Sequence, residues 1–153
     1  MKLHAIIIGK EAKAPLGYVD EAEVVADKGI VGDRYYYRCG TFNKPQLSQS
    51  VRQISLIDFE TLAICNERIE GNLDFLDLRR NLVVKGGDIA ALEKRTFAIG
   101  DAQFRILRSC PPCRYLSRLL DADMMQGLKY IGGYRAQILQ SGTIRVGDQI
   151  VLL

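Results

Sequence analysis

The chain has one histidine and four cysteines in 153 residues, and each shortage removes a class of chemistry. Its only histidine, His4, opens an apolar stretch, so a histidine-rich metal site is excluded and a Ser-His-Asp relay is disfavoured. His4 is read as structural or solvent-facing. Neither a glycine-rich loop ending in Lys-Ser/Thr nor a GxGxxG pattern occurs, which argues against the two familiar modes of nucleotide binding. No apolar run approaches the roughly 18 residues of a membrane span. The short run at residues 5–8 is followed by Lys10 and Glu11 and lacks the features of a secretory signal. The expectation is a protein with no membrane association and a cytoplasmic location.

The cysteines are also too few for the usual metal frameworks. Cys39 and Cys65 do not form a second local pair beside Cys110 and Cys113, so a four-thiolate zinc site is a poor fit. A ferredoxin-type cysteine set and a flavin fingerprint are missing too, so any redox activity would need an external electron donor. With no secretory signal, all four cysteines are read as reduced thiols.

What is present is an ordinary globular composition, 48% hydrophobic and 25% charged, at a length that fits one domain spanning residues 1–153. The 13 arginines and 8 lysines exceed the acidic residues by only three, too little to imply a nucleic-acid partner. The arginine preference instead suits planar, bidentate contacts to carboxylate or phosphate, as in a small-molecule ligand.

Short apolar or alternating runs recur along the chain. Residues 5–8, 23–26, 53–57, 82–84, 103–107, 134–139 and 148–153 read as strands. Asp58 is placed to cap a helix carrying Phe59, Leu62 and Cys65 on its apolar side, with Cys65 as a small core residue. Asp88 is placed to cap a helical turn over residues 88–92, and residues 113–123 read as a further helix. Residues 40–52 form a long loop, a candidate rim over a site. Gly-Asp occurs at 100–101 and again at 147–148, each time between an apolar run and an alternating strand, as a tight reversal or bend requires. The expected fold is therefore mainly β with a few short helices, its antiparallel sheet closed or nearly closed into a barrel to hide its edges.

Cys110-Pro111-Pro112-Cys113 has the most chemical potential. Two thiols at this spacing, at a strand-to-helix junction, can coordinate a metal, form a disulfide, present one thiolate near helix N-terminal amides, or simply be structural. Arg108, Arg114 and Arg118 lie nearby in sequence. Arg79, Arg80 and Asn81 stand just before a strand, Arg34 follows Gly32-Asp33, and Arg135 follows Gly132-Gly133, so several basic corners border flexible turns.

The ordered set of these pieces resembles the MOSC family, the domain type found at the C-terminus of molybdenum cofactor sulfurases. The matching segments are residues 29–35 with Gly40-Thr41-Phe42, residues 52–57, Arg79-Arg80-Asn81-Leu82-Val83, residues 97–102, Cys110 to Cys113, and residues 132–136 through 142–148. The resemblance implies a barrel-like fold and association with molybdenum cofactor (molybdopterin). It implies that Cys113, with Cys110 as a candidate resolving thiol, carries sulfur as a persulfide or ligates molybdenum. It also implies cofactor-binding roles for Arg79 and Asn81, with Arg34 and Arg135 in support. The alternatives are a molybdenum-dependent reductase of N-hydroxylated compounds and a non-catalytic protein-interaction domain. Residues 1–153 themselves hold no pyridoxal-phosphate domain, so the expected partner is a sulfur-donor protein or, for a reductase, an electron-transfer protein.

Overall fold

The computed structural model describes residues 1–153. The strands are β1 (Lys2–Ile8), β2 (Gly17–Val19), β3 (Glu21–Val25), β4 (Gly29–Ile30), β5 (Ile54–Asp58), β6 (Leu82–Lys85), β7 (Thr96–Ile99), β8 (Ala102–Ser109), β9 (Tyr134–Gln140), β10 (Gly142–Arg145) and β11 (Ile150–Leu152). The helices are α1 (Thr61–Ile69), α2 (Phe75–Leu78), α3 (Arg114–Leu120) and α4 (Met124–Gly127), with 3-10 turns at Gln49–Arg52 and Ile89–Leu92. None of the helices is long and apolar enough to cross a membrane.

Eight strands form one sheet in the order β11-β7-β8-β9-β5-β6-β1-β2, and β10-β3-β4 form a second. All pairings are antiparallel except β5 with β6, whose parallel register sets Leu56 beside Leu82. A parallel pair needs a crossover, and α1 and α2 supply it.

The middle of the large sheet is covered on both faces, which explains why β1 and β6 read as continuous apolar runs and why β5, which alternates in sequence like a half-buried strand, is buried on both faces, Ser55 included. On one side Leu3, Ile6, Leu56, Leu82, Phe97 and Phe104 meet Ala22, Val24, Ile30 and Ile144 of the small sheet. On the other, Ala5, Ile7, Ile57 and Val83 pack on Cys65, Leu78, Leu116, Met124 and Leu128 from the helical layer. Cys65 is fully buried there, the core role its helical position suggests. Strand β8, third from one end of the sheet, has this cover on one face only, and its Arg105, Leu107 and Ser109 are exposed.

The expected barrel closure is overturned. The edge strands β11 and β2 do not pair with each other, and the only bridge between β1 and the start of β11 is Lys2 with Gln149. Closure is unnecessary because the small sheet caps the apolar face and the helices cap the other, so the core is sealed by layers. The edges that remain are only three residues long, which limits their exposed pairing surface.

Local signals had mixed outcomes. Asp88 caps its turn by accepting from the Ala90 amide, as expected. Asp58 does not cap α1, whose N-cap is Glu60; its carboxylate accepts from the Ile89 amide instead. Gly100 sits at φ +55° in the reversal joining β7 to β8. The second Gly-Asp, with Gly147 at φ +97°, is a bend that carries the chain from one sheet to the other. It docks on β1 through the Gly147 amide to the Leu3 carbonyl at 2.8 Å and the Leu3 amide to the Asp148 carbonyl at 2.9 Å.

Candidate functional site

Four separate stretches of chain converge at one end of the large sheet. The turn after β4 brings Arg34 and Tyr35, the loop beyond it brings Thr41, Phe42 and Lys44, and the end of α2 brings Arg79 and Arg80. β9 brings Arg135, while the end of β8 brings Ser109 and leads into Cys110-Pro111-Pro112-Cys113 and the first turn of α3. Together they enclose a cavity of about 290 Å³. Its lining includes four arginines and a lysine, and no carboxylate.

The arginines are held from behind. Asp33, fully buried, pairs with Arg34 Nη1 at 2.9 Å and accepts from the Gly9 and Tyr35 amides, so its charge is spent on holding the turn. Arg34 Nη2 donates to the Arg79 carbonyl at 3.3 Å, tying two corners together. Arg79 lies in the left-handed region at φ 56° as the C-cap of α2, and its own Nη1 donates to the Ala14 carbonyl at 3.1 Å. Burial, and then the neighbouring Arg34 charge, hold the Arg79 guanidinium below the usual arginine range. Arg80 reaches across to the Gly132 carbonyl at 2.9 Å.

Arg135 is the exception to this satisfaction. It is 6% exposed, yet its Nε and Nη1 have no hydrogen-bond partner. Its Nη2 donates to the Tyr35 hydroxyl at 3.3 Å, and its guanidinium stacks 4.0 Å from the Phe42 ring centroid and 4.8 Å from that of Tyr35. Arg34 lies 4.7 Å from the same Tyr35 ring. Burial would push the Tyr35 phenol up, but the Arg135 and Arg34 charges, with the hydrogen bond from Arg135, hold it below the ordinary phenol range. The Tyr115 hydroxyl, also buried, has no partner. Buried donors are normally satisfied. A cavity with several unsatisfied ones and no carboxylate is shaped for an acceptor-rich anion.

Cys113 is exposed and is the N-cap residue of α3, but its side chain makes no capping hydrogen bond. The helix is shorter than the span of residues 113–123 expected from the sequence. Cys110 is buried, and its amide donates to the Gly133 carbonyl at 2.7 Å. A Cβ at Gly132 would collide with the Cys110 carbonyl oxygen, so glycine is required where this turn supports the cysteine segment. All four cysteines are free thiols, and no group of three or more His, Cys, Asp or Glu side chains could hold a metal ion.

The structure thus brings Arg34, Arg79, Arg135, Cys110 and Cys113 to one cavity and leaves Asn81 outside it. Asn81 is fully buried: its Oδ1 accepts from the Ser55 amide and hydroxyl, and its Nδ2 donates to the Ile7 carbonyl. It pins three central strands rather than facing a ligand. Arg108, Arg114 and Arg118, the sequence neighbours of the cysteines, do not line the cavity; its charge comes from distant segments. Tyr35, Phe42, Lys44 and Tyr115 were not singled out as site residues in the sequence. Tyr35 and Phe42 nevertheless lie inside the matching segments at residues 29–35 and 40–42, and Lys44 lies in the long loop at residues 40–52 that follows the turn carrying Arg34.

A second cavity lies on the other side of the same wall. Ser109, Cys110, Pro111 and Pro112 line both, and here the opposite side carries Asp58, Thr61, Asp88, Lys129, Tyr130 and Tyr134. Burial, reinforced by Asp88 and Glu60 and opposed by the Ile89 amide, pushes the Asp58 carboxyl up to about 6. Burial and then the Glu93 carboxylate push the Tyr134 phenol up to about 12.

A family model described as the MOSC domain matches residues 30–151. Among solved structures, the YuaD protein of Bacillus subtilis is similar with a TM-score of 0.80 at 18% identity, covering 97% of this chain and 93% of that one. YiiM from Geobacillus stearothermophilus gives 0.71 at 16% identity, covering 99% of this chain and 74% of that one. YiiM from Escherichia coli gives 0.67 at 17% identity, covering 100% and 70%. Likeness at these identities bears on the fold alone. No curated protein matches the chain.

Proposed function

Because the chain belongs to the MOSC domain family, we propose that its arginine-lined cavity receives the anionic end of molybdenum cofactor and that Cys113 at the same cavity carries sulfur as a persulfide. The observation that carries this reading is Arg135, a buried guanidinium with two donor nitrogens unpartnered on the cavity that Cys113 lines. A buried donor pair of this kind costs stability unless an acceptor meets it, and a phosphate oxygen is such an acceptor.

The residues present fit the cofactor. Arg34, Arg79, Arg80, Arg135 and Lys44 would hold its phosphate, and Phe42 and Tyr35 would keep the arginine planes in place. When bound, the cofactor supplies molybdenum, a metal for which a single soft thiolate such as Cys113 is a suitable ligand. The chain's own contribution is to bind and orient an anion and to keep a nucleophilic sulfur beside concentrated positive charge. A persulfide is itself an anion, so the same arginines stabilise Cys113 after it has taken up sulfur. The sulfur would come from a partner donor. The functional unit is proposed to be the whole of residues 1–153, since β1, which precedes the family match, sits between β6 and β2 in the large sheet.

The test is purification after co-expression with a cofactor biosynthesis pathway, followed by metal analysis and cyanide-labile sulfur measurement on the wild type and Cys113→Ala. Molybdenum with pterin, or cyanide-labile sulfur, should accompany the wild type and be lost in the variant. A wild type that carries neither, with Cys113 unreactive to thiol labels, would overturn the reading.

A further inference from the structure

Resting on the persulfide reading, we infer that the cavity also accepts a small sulfane-sulfur dianion of the thiosulfate class, and that Cys113 takes its sulfur directly. The domain would then act as a sulfurtransferase as well as a carrier.

Three observations lead there. The first is charge: five cationic side chains and no carboxylate line the cavity, and with Arg34 paired to Asp33 behind it four of those charges have no ion-pair partner, so a singly charged ligand would leave most of the field uncompensated. The second is hydrogen-bond polarity. Arg135 Nε and Nη1 and the Tyr115 hydroxyl are buried without partners, and all of them are donors. A ligand that satisfies all of these offers only acceptors, as a sulfonate end with three oxygens does. The third is size. At about 290 Å³ the cavity sits just below the range of roughly 300–1,000 Å³ usual for drug-sized ligands, so a small anion can be enclosed whole.

Cys113 selects among small dianions. Phosphate and sulfate would satisfy the donors but give a thiolate nothing to attack. Thiosulfate presents the same oxygens and an electrophilic sulfur. Once its proton has passed to solvent, the Cys113 thiolate attacks the outer sulfur; a new S–S bond forms and the S–S bond of thiosulfate breaks. The electron pair leaves with sulfite, and a cysteine persulfide remains. The outer sulfur already carries the oxidation level of a persulfide, so neither oxidant nor reductant is consumed. Charge that builds on the departing sulfite faces the arginines, which places the stabilisation where it is needed.

Cys39 provides an internal control. It is the other exposed thiol, and it donates to the Lys10 and Arg34 carbonyls without lining the cavity. The experiment is incubation of the full chain with thiosulfate, measuring sulfite release and the site of added sulfur by peptide mass, then thiocyanate production on adding cyanide. One sulfur atom should appear on Cys113 and not on Cys39. Cys113→Ser should abolish turnover, and Cys39→Ser should leave it unchanged. Arg135→Lys keeps the charge but loses the donor fork, and should raise KM for thiosulfate about ten-fold or more. If that variant does not fold, Lys44→Gln at the exposed rim should raise KM several-fold. Equal labelling of Cys39 and Cys113, or an unchanged KM in the folded variants, would overturn the inference. Loading of Cys113 from a protein persulfide but not from thiosulfate would overturn it while leaving the carrier reading standing. Loading from neither would remove both.

Discussion

Arg135 and Tyr35, one hundred residues apart in sequence, are joined by a hydrogen bond of 3.3 Å in which the guanidinium donates to the phenol oxygen. That bond is the only one the Arg135 side chain makes, since its other two nitrogens have no partner. Tyr35→Phe keeps the ring against which Arg34 and Arg135 pack but removes this acceptor. The variant should lose about 1–3 kcal/mol of stability in urea unfolding, as expected for a buried charged donor left unmet. A phosphate-containing buffer should recover part of that loss if the cavity binds anions.

Asp33 carries the one buried ion pair, with Arg34 at 2.9 Å. Removing its carboxylate strands a guanidinium and two backbone amides, so Asp33→Ala should cost about 3–5 kcal/mol. For a domain whose total stability is on the order of 5–15 kcal/mol, that is a large fraction. Circular dichroism melts should show it, and the loss should be little affected by salt because the pair is out of reach of screening ions.

Asn81 makes three side-chain hydrogen bonds, two accepted from Ser55 and one donated to Ile7. Asn81→Ala should destabilise by roughly 2–4 kcal/mol. Its effect on anion affinity, measured by calorimetry on the folded protein, should be small beside that of Arg135→Lys. A reversed order of the two effects would place Asn81 against the ligand.

Asp58 is protonated more readily in the folded chain, with its carboxyl raised from 3.8 to about 6. The folded state therefore binds the proton more tightly than the unfolded one, and this group's contribution to stability falls as pH rises through that interval. Asp58→Asn retains an oxygen for the Ile89 amide and removes the charge. It should raise stability at pH 7 by about 1–2 kcal/mol, allowing for the partial exposure of the site, and flatten the pH profile between about 4 and 6. Urea midpoints at pH 4, 5, 6 and 7 would check both.

Gly133 sits at φ +88°, where a Cβ would also collide with the Leu56 carbonyl. Gly133→Ala should cost at least about 2 kcal/mol and displace the Cys110 amide from the Gly133 carbonyl. Cys113 should then react with maleimide at a changed rate, whereas Cys39 should not.

Much of the strand content was legible because a strand's alternation, or its unbroken apolar run, is a local property. The runs that hold Ile6, Leu56, Leu82 and Ile138 announced themselves this way. Closure was not legible, since it depends on whether β2 and β11 meet, and a layered core hides apolar faces as well as a barrel does. Short-range capping was only half legible: Asp88 found an amide two residues on, but Asp58 found one thirty-one residues away. In the site, Cys113, Arg34, Arg79 and Arg135 stood out beside turns. The sequence could not say that Asn81 is turned inward, or that two arginines pack against the Tyr35 ring, because both facts are made by tertiary packing.

The order of strands in the large sheet also sets a timetable. β1 lies between β2, which follows after an eight-residue loop, and β6, whose Leu82 pairs with Ile6. During synthesis Ile6, Ile7 and Ile8 therefore wait, with one short neighbour, until more than half of the chain has emerged. β5 waits as long for β9, through Leu56 and Tyr134. Sheets assembled from such distant partners form slowly, and their unpaired apolar strands are the segments most exposed to misassociation. The central strands that form much of the finished core are, for a time, its most vulnerable part.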